Sequence, residues 1–245
     1  MSHTALLVID AQRAFENEPE WQNPATDAWF SQQNALIALA QTRGWPVARV
    51  HHHSRYHFDP TGPGVDPLPA VALADDTPTF IKHVHSALDA DGLGAWLASQ
   101  RAARLVISGI RTDQCCETTA RAARDAGYEV DFVLDATLSF TVTTDAGETI
   151  TAADIYRHTA AMLHRRFATV HTVETLAAAA ESPAVNRHCP RSGKPVSAGA
   201  LTQYRGETVG FCNPGCRDDF GSDPAARPAD RRYLDRVLAL RAGEP

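Results

Sequence analysis

RLVISGIRTDQCCETTARAARDAGYEVDFVLDA, residues 104–136, decides the fold. It opens on an apolar run, turns through Gly109–Asp113, continues with small and charged residues at helical spacing, breaks at Gly127 and ends on a second apolar run. That reads as strand, turn, helix, strand. The two strands lie parallel because the helix carries the chain back across the sheet. The same alternation recurs on both sides. ALLVID (5–10) and PVARVHHH (46–53) read as strands around an amphipathic helix over 26–44 closed by Gly44. Residues 93–100 read as a helix, 150–167 as another, and 168–173 as a last short strand. The pattern predicts an α/β fold: a three-layer, doubly wound, mainly parallel sheet with helices on both faces. In such sheets, sites gather beyond the carboxyl ends of the strands. Asp10, the histidines between His51 and His57, and the Cys115 loop sit at such ends.

With 245 residues, 44% of them hydrophobic, the chain can form one full domain and a small appendage. Its apolar runs fall short of the roughly 18 residues that span a bilayer. Its N-terminus has neither a basic n-region nor a small-residue cleavage site. The expectation is a cytoplasmic protein with no membrane partner, whose five cysteines stay reduced and serve catalysis or metal binding before disulfides. The net charge of -6 is uneven: residues 186–245 carry 10 Lys/Arg against 7 Asp/Glu. The excess is slight and the signs are interleaved, so a solvated surface is expected there and no nucleic-acid partner.

The turn of the deciding segment places two cysteines at a helix start. Helix dipole and unpaired backbone N–H groups favour a thiolate there and can hold an oxyanion. Cys116, Ala120, Ala123 and Gly127 form a stripe of small residues, the face expected to pack on the sheet. Cys115 is turned away from it by about 100°. A second buried, inert cysteine is the bland alternative, and the loop alone leaves the two readings even.

Three segments together resemble the isochorismatase-like hydrolases. ALLVIDAQRAF resembles that family's opening strand, with Asp10, Gln12 and Phe15 in its motif positions. FIKHVHSAL resembles its lysine segment at Lys82, and GIRTDQCCETTARAARDAGYEVDFVLDA its nucleophile segment at Cys115. Each motif is weak alone; three in order over residues 4–178 are specific. The resemblance implies a cysteine hydrolase that cleaves an amide or ureido C–N bond of a small molecule. Cys115 would attack, and Asp10 would take the thiol proton, pass it to the leaving amine and then activate water. Lys82 would hold Asp10 and favour the thiolate. It further implies a cis peptide at Ile110–Arg111, an oxyanion hole from the backbone amides of Arg111 and Cys115, and a homo-oligomer. Small residues are usual at the position of Arg111, so its side chain is a candidate for binding a substrate carboxylate. Phe15 and His53 are further candidates for contacting the substrate.

His51, His53 and His57 could bind zinc, and the nicotinamidase branch holds a metal near this point with an Asp-x-His pair. His51 stands where that aspartate would be, so pocket-lining histidines without metal are favoured; His83 and His85, beside Lys82, are weaker metal candidates still. After the hydrolase domain (1–180) and a linker (181–186), residues 187–245 carry Cys189, Cys212 and Cys216 as C-x22-C-x3-C. CPRSGKPV and YRGETVGFCNPGCRDDF resemble small treble-clef-like modules of the YHS or TRASH type. Three thiolates and a fourth ligand, His188 being the nearest, suit structural zinc. Two other functions stay open: a catalytically inactive or metal-sensing protein on this fold, and an isochorismatase-type vinyl ether hydrolase, which would not need Cys115.

Overall fold

The computed structural model describes residues 3–179 and 183–243. Six parallel strands form the main sheet in the order β3-β2-β1-β4-β5-β8. They are β1 (Thr4–Ile9), β2 (Val47–His52), β3 (Thr79–Lys82), β4 (Arg104–Ile110), β5 (Glu129–Leu138) and β8 (Thr169–His171); β6 (Val142–Thr143) and β7 (Thr149–Ile150) form a separate small hairpin. Strand β3 has no apolar alternation, because it is a four-residue edge strand, and its segment reads in the sequence only as the lysine motif.

The order reverses between β1 and β4, the place where doubly wound sheets open a crevice. The two central strands can approach there because Gly109 has no side chain. A Cβ on it would lie 1.9 Å from the Ile9 carbonyl oxygen, and its φ of +125° is one that few other residues adopt.

Strand β1 alternates between two cores. Ala5, Leu7 and Ile9 face a cluster completed by α2 (Leu93–Ser99) and α3 (Glu117–Asp125). Leu6 and Val8 face another, with Trp29, Leu36 and Ile37 of α1 (Pro24–Thr42). Asn23 caps α1 through its side chain and Pro24 opens it. Thr151 and Asp154 form a reciprocal capping box at the start of α4 (Ala152–Leu163). α5 (Val173–Ala178) lies on the α1 side through Val173 and Leu176.

The C-terminal region has its own core of Val185, Val209, Phe211, Phe220, Leu234 and Val237. It comprises the hairpin β9 (Leu201–Tyr204) and β10 (Glu207–Gly210), then α6 (Pro214–Ser222) and α7 (Pro228–Ala242). Of the expected linker, Glu181 and Ser182 lie outside the described residues. Ala184, Val185 and Asn186 are buried and belong to the module: the Asn186 amide spans the carbonyls of His188 and Gly210. Among the described residues, no helix is long and apolar enough to cross a membrane.

Candidate active site

Asp10, Lys82 and Cys115 meet at the carboxyl ends of β1, β3 and β4. Asp10 follows β1 in the left-handed region at φ 50°, which an aspartate adopts at a cost of about 1 kcal/mol. Its N–H donates to the Val50 carbonyl at 2.8 Å, fixing it against β2. Lys82 ends β3, in register with His52. Its Nζ lies 2.9 Å from Asp10 Oδ2, 3.3 Å from Cys115 Sγ, 3.0 Å from His52 Nδ1 and 3.1 Å from the Val84 carbonyl. Both Asp10 and Lys82 are fully buried.

Cys115 lies in a π-helical turn, Thr112–Cys116, between β4 and α3. The Ile110–Arg111 peptide just before it is cis. Thr119 Oγ1 donates to the Cys115 carbonyl at 2.6 Å and accepts the Ala87 N–H at 2.9 Å, tying the nucleophile turn to the loop after Lys82. Cys116 is completely buried with Ala120 and Ala123, as the small-residue stripe predicts.

The thiol is not activated in the way its helix-start position predicts. Burial, and then the negative charge of Asp10, push Cys115 up to about 12, with Lys82 opposing. Burial also raises Asp10, again against Lys82. The local dipole is outweighed because desolvation and a carboxylate act on the same sulfur at close range.

Two more histidines are in the cluster: His52, which the sequence reading did not single out, and His85, which it named only as a weak metal candidate. His52 accepts from Lys82 through Nδ1, and because an ammonium only donates, that nitrogen is unprotonated. Burial and the Lys82 charge hold His52 near 4, hence neutral. Gln12 fixes it, accepting the His52 N–H at 2.7 Å and donating to the His52 carbonyl at 3.1 Å. His85, exposed on the loop after β3, brings Nδ1 to 3.7 Å from Cys115 Sγ. Strand alternation already separates His52 from His51 and His53; it does not say which face meets the thiol.

The other candidates are placed differently. His53 turns away from His52, its ring meeting His83 at 6.3 Å instead of the Asp10–Lys82–Cys115 set. His51 is buried, and His57 packs edge-on against Phe15 at 5.4 Å, so the three histidines do not form a ligand set. Phe15 is buried between Phe58 and Phe140, and Phe58 stacks on His52 at 5.0 Å. Arg111 lies over Phe140 at 5.7 Å and donates through Nη2 to the Phe140 carbonyl at 3.2 Å. These aromatics form a wall running from His52 to Arg111. Asp10, His52 and Cys115 also stand within 4.8 Å of one another, but the Lys82 ammonium lies among them and a metal cation there would compete with it.

In the C-terminal module Cys189, Cys212 and Cys216 converge within 4.8 Å. Cys212 and Cys216 are 3.9 Å apart at sulfur, close to the roughly 3.8 Å edge of a tetrahedron with Zn–S bonds of about 2.3 Å. The donor set fits zinc. His188 is not its fourth ligand: Nδ1 is 2.7 Å from Glu129 Oε2 and Nε2 is 2.9 Å from Thr169 Oγ1. The buried Glu129 carboxylate needs a donor, and His188 supplies one across the domain boundary.

The chain matches the Isochorismatase domain family over residues 4–175. It belongs to the isochorismatase family. YrdC of Bacillus subtilis, an uncharacterised member, is 27% identical over 177 residues, covering 70% of this chain and 93% of that protein. An isochorismatase hydrolase from Oleispira antarctica is 29% identical with a TM-score of 0.64, covering 72% of this chain and 96% of that one. An isochorismatase from Burkholderia xenovorans, 22% identical with a TM-score of 0.66, is similar in fold over 91% of this chain and 98% of its own. That likeness runs past the family domain into the C-terminal module. The fold is thus that of isochorismatase-family hydrolases.

Proposed function

We propose that this protein is a cysteine hydrolase that cleaves a C–N bond, amide or ureido, of a small molecule through a thioester on Cys115. The reading rests on one observation: a single buried ammonium, Lys82, touches both a carboxylate and a thiol.

At rest the thiol keeps its proton, because burial disfavours its charge and ionising it would set a second anion beside Asp10. Passing that proton to Asp10 instead moves one negative charge from oxygen to sulfur and leaves the charge around Lys82 unchanged. The raised affinity of Asp10 for a proton works in the same direction. Cys115 Sγ then attacks the carbonyl carbon, and the backbone amides of Arg111 and Cys115 receive the oxyanion. Asp10 returns the proton to the nitrogen as the C–N bond breaks. Water hydrolyses the thioester and restores the thiol. Phe15 and Arg111 would contact the substrate, Arg111 offering an acidic one a cation that Asp113 also faces at 3.7 Å.

The test is trapping. Intact mass after incubation with a panel of small amides should show an acyl adduct on the wild type and Cys116→Ala, and none on Cys115→Ala. An adduct that disappears only in Cys116→Ala would overturn the assignment.

In the C-terminal module Cys189, Cys212 and Cys216 would hold one structural zinc, which supplies folding free energy to a small core and takes no part in the thiol chemistry. Elemental analysis should find about one zinc per chain, lost in Cys212→Ser. The proposal extends to a cytoplasmic location, where the thiols would stay reduced, and to a homo-oligomer by family likeness.

A further inference from the structure

Resting on the Cys115 thioester reading, we infer that His85 is the catalytic base of the second half-reaction, taking a proton from the water that releases the acyl group. Asp10, Lys82, His52 and His85 stand around Cys115 Sγ, and His52 is buried with its Nδ1 taken up by Lys82. Asp10 and Lys82 are fully buried, whereas His85 is exposed and still reaches the sulfur at 3.7 Å. Once acylation is complete, the amine has left with the thiol proton and water must enter from the side open to solvent. His85 stands on that side. Asp10 is held on the opposite terms: it follows β1 directly and is fully enclosed.

Imidazole is suited to the step because it accepts and returns a proton without a change of partner. In balance, the water oxygen bonds to the thioester carbon and one water proton goes to a nitrogen of His85. The tetrahedral oxyanion re-forms the carbonyl, the C–S bond breaks and its electron pair stays on sulfur. His85 then gives the proton to Sγ, restoring the thiol, and the acyl group leaves as the carboxylic acid carrying the second water proton. The backbone just after His85 is anchored: Ser86 caps the following turn through Leu88 N–H, and Ala87 N–H is bound by Thr119 of the nucleophile helix. His85 is thereby tied to the element that carries Cys115.

The experiment uses the full chain and p-nitrophenyl acetate as an activated acyl donor, so no natural substrate is needed. The p-nitrophenolate burst reads acylation, and intact mass reads the survival of acetyl-Cys115. His85→Gln should keep the burst within a few-fold, which also shows that it is folded, and should lose about 100-fold in the decay of the adduct. The pH dependence of decay seen in the wild type should flatten, and added imidazole should restore decay in His85→Gly. Decay at the wild-type rate in His85→Gln would overturn the assignment and leave Asp10 as base for both halves. An absence of acetyl-Cys115 in wild type and variant alike would instead sink the thioester reading, and this inference with it.

Discussion

Two aspartates are wholly buried at opposite ends of one sheet, and they are treated in opposite ways. Asp10, beyond the carboxyl end of β1, faces one ammonium and a thiol, and burial leaves it raised. Asp131, near the start of β5, also suffers burial. There the charges of Arg104 and Arg187 and a hydrogen bond from His171 outweigh it and hold the group down at about 2. Arg187 comes from the C-terminal module, and neighbouring Glu129 likewise takes His188 and Tyr233 from it. The contrast shows what burial of a carboxylate can serve. Few partners leave it able to accept a proton; saturation makes it a permanent anion that joins two parts of the molecule.

Asp10→Asn breaks the first half of the contrast. Acylation of Cys115 should fall on the order of 10^3-fold or more, measured by the p-nitrophenolate burst, because the amide cannot take the thiol proton. A burst within tenfold of wild type would mean that the proton leaves by another route. Asp131→Asn breaks the second half. It leaves Arg104 buried beside a neutral group and should cost about 3–5 kcal/mol in urea unfolding, with burst kinetics of the folded protein unchanged. Equal damage to both properties would show that the two ends of the sheet are not independent.

The pH dependence sharpens the comparison with a smaller effect. A carboxyl held below its ordinary 3.8 stabilises the fold above that value and ceases to do so as the pH falls toward about 2. Asp131 should therefore contribute about 2 kcal/mol at neutral pH that vanishes between roughly pH 4 and 2. Asp10 has the opposite sign, since a raised carboxyl costs stability when ionised and the cost disappears on acidification. Urea midpoints from pH 7 to 3 should drop in the wild type and flatten in Asp131→Asn; parallel curves would remove Asp131 from the account.

The sheet and the three polar strand ends were legible in sequence because continuous apolar runs and period-3.6 patterns report directly on burial. Cys116 was legible because small residues at i, i+4 and i+7 have to face the sheet. That His85 and His52 stand at the thiol was not. Whether a histidine beside a motif lysine points at a thiol depends on a parallel register set thirty residues away. The partners of His188 were hidden for the same reason: Glu129 lies 59 residues earlier, on a strand whose apolar neighbours gave no sign of a buried carboxylate. The elevated thiol was misjudged because the sequence shows the helix start but not the charge of Asp10 across the crevice.

The stitching of β5 to the module has a consequence for biosynthesis. Glu129 and Asp131 leave the ribosome well before Arg187, His188 and Tyr233. Through that interval Asp131 already has Arg104 from its own sheet, while Glu129 has Arg124 and must remain hydrated. The partners that close this end of the sheet, Arg187, His188 and Tyr233, therefore become available only after the strands that carry the chemistry.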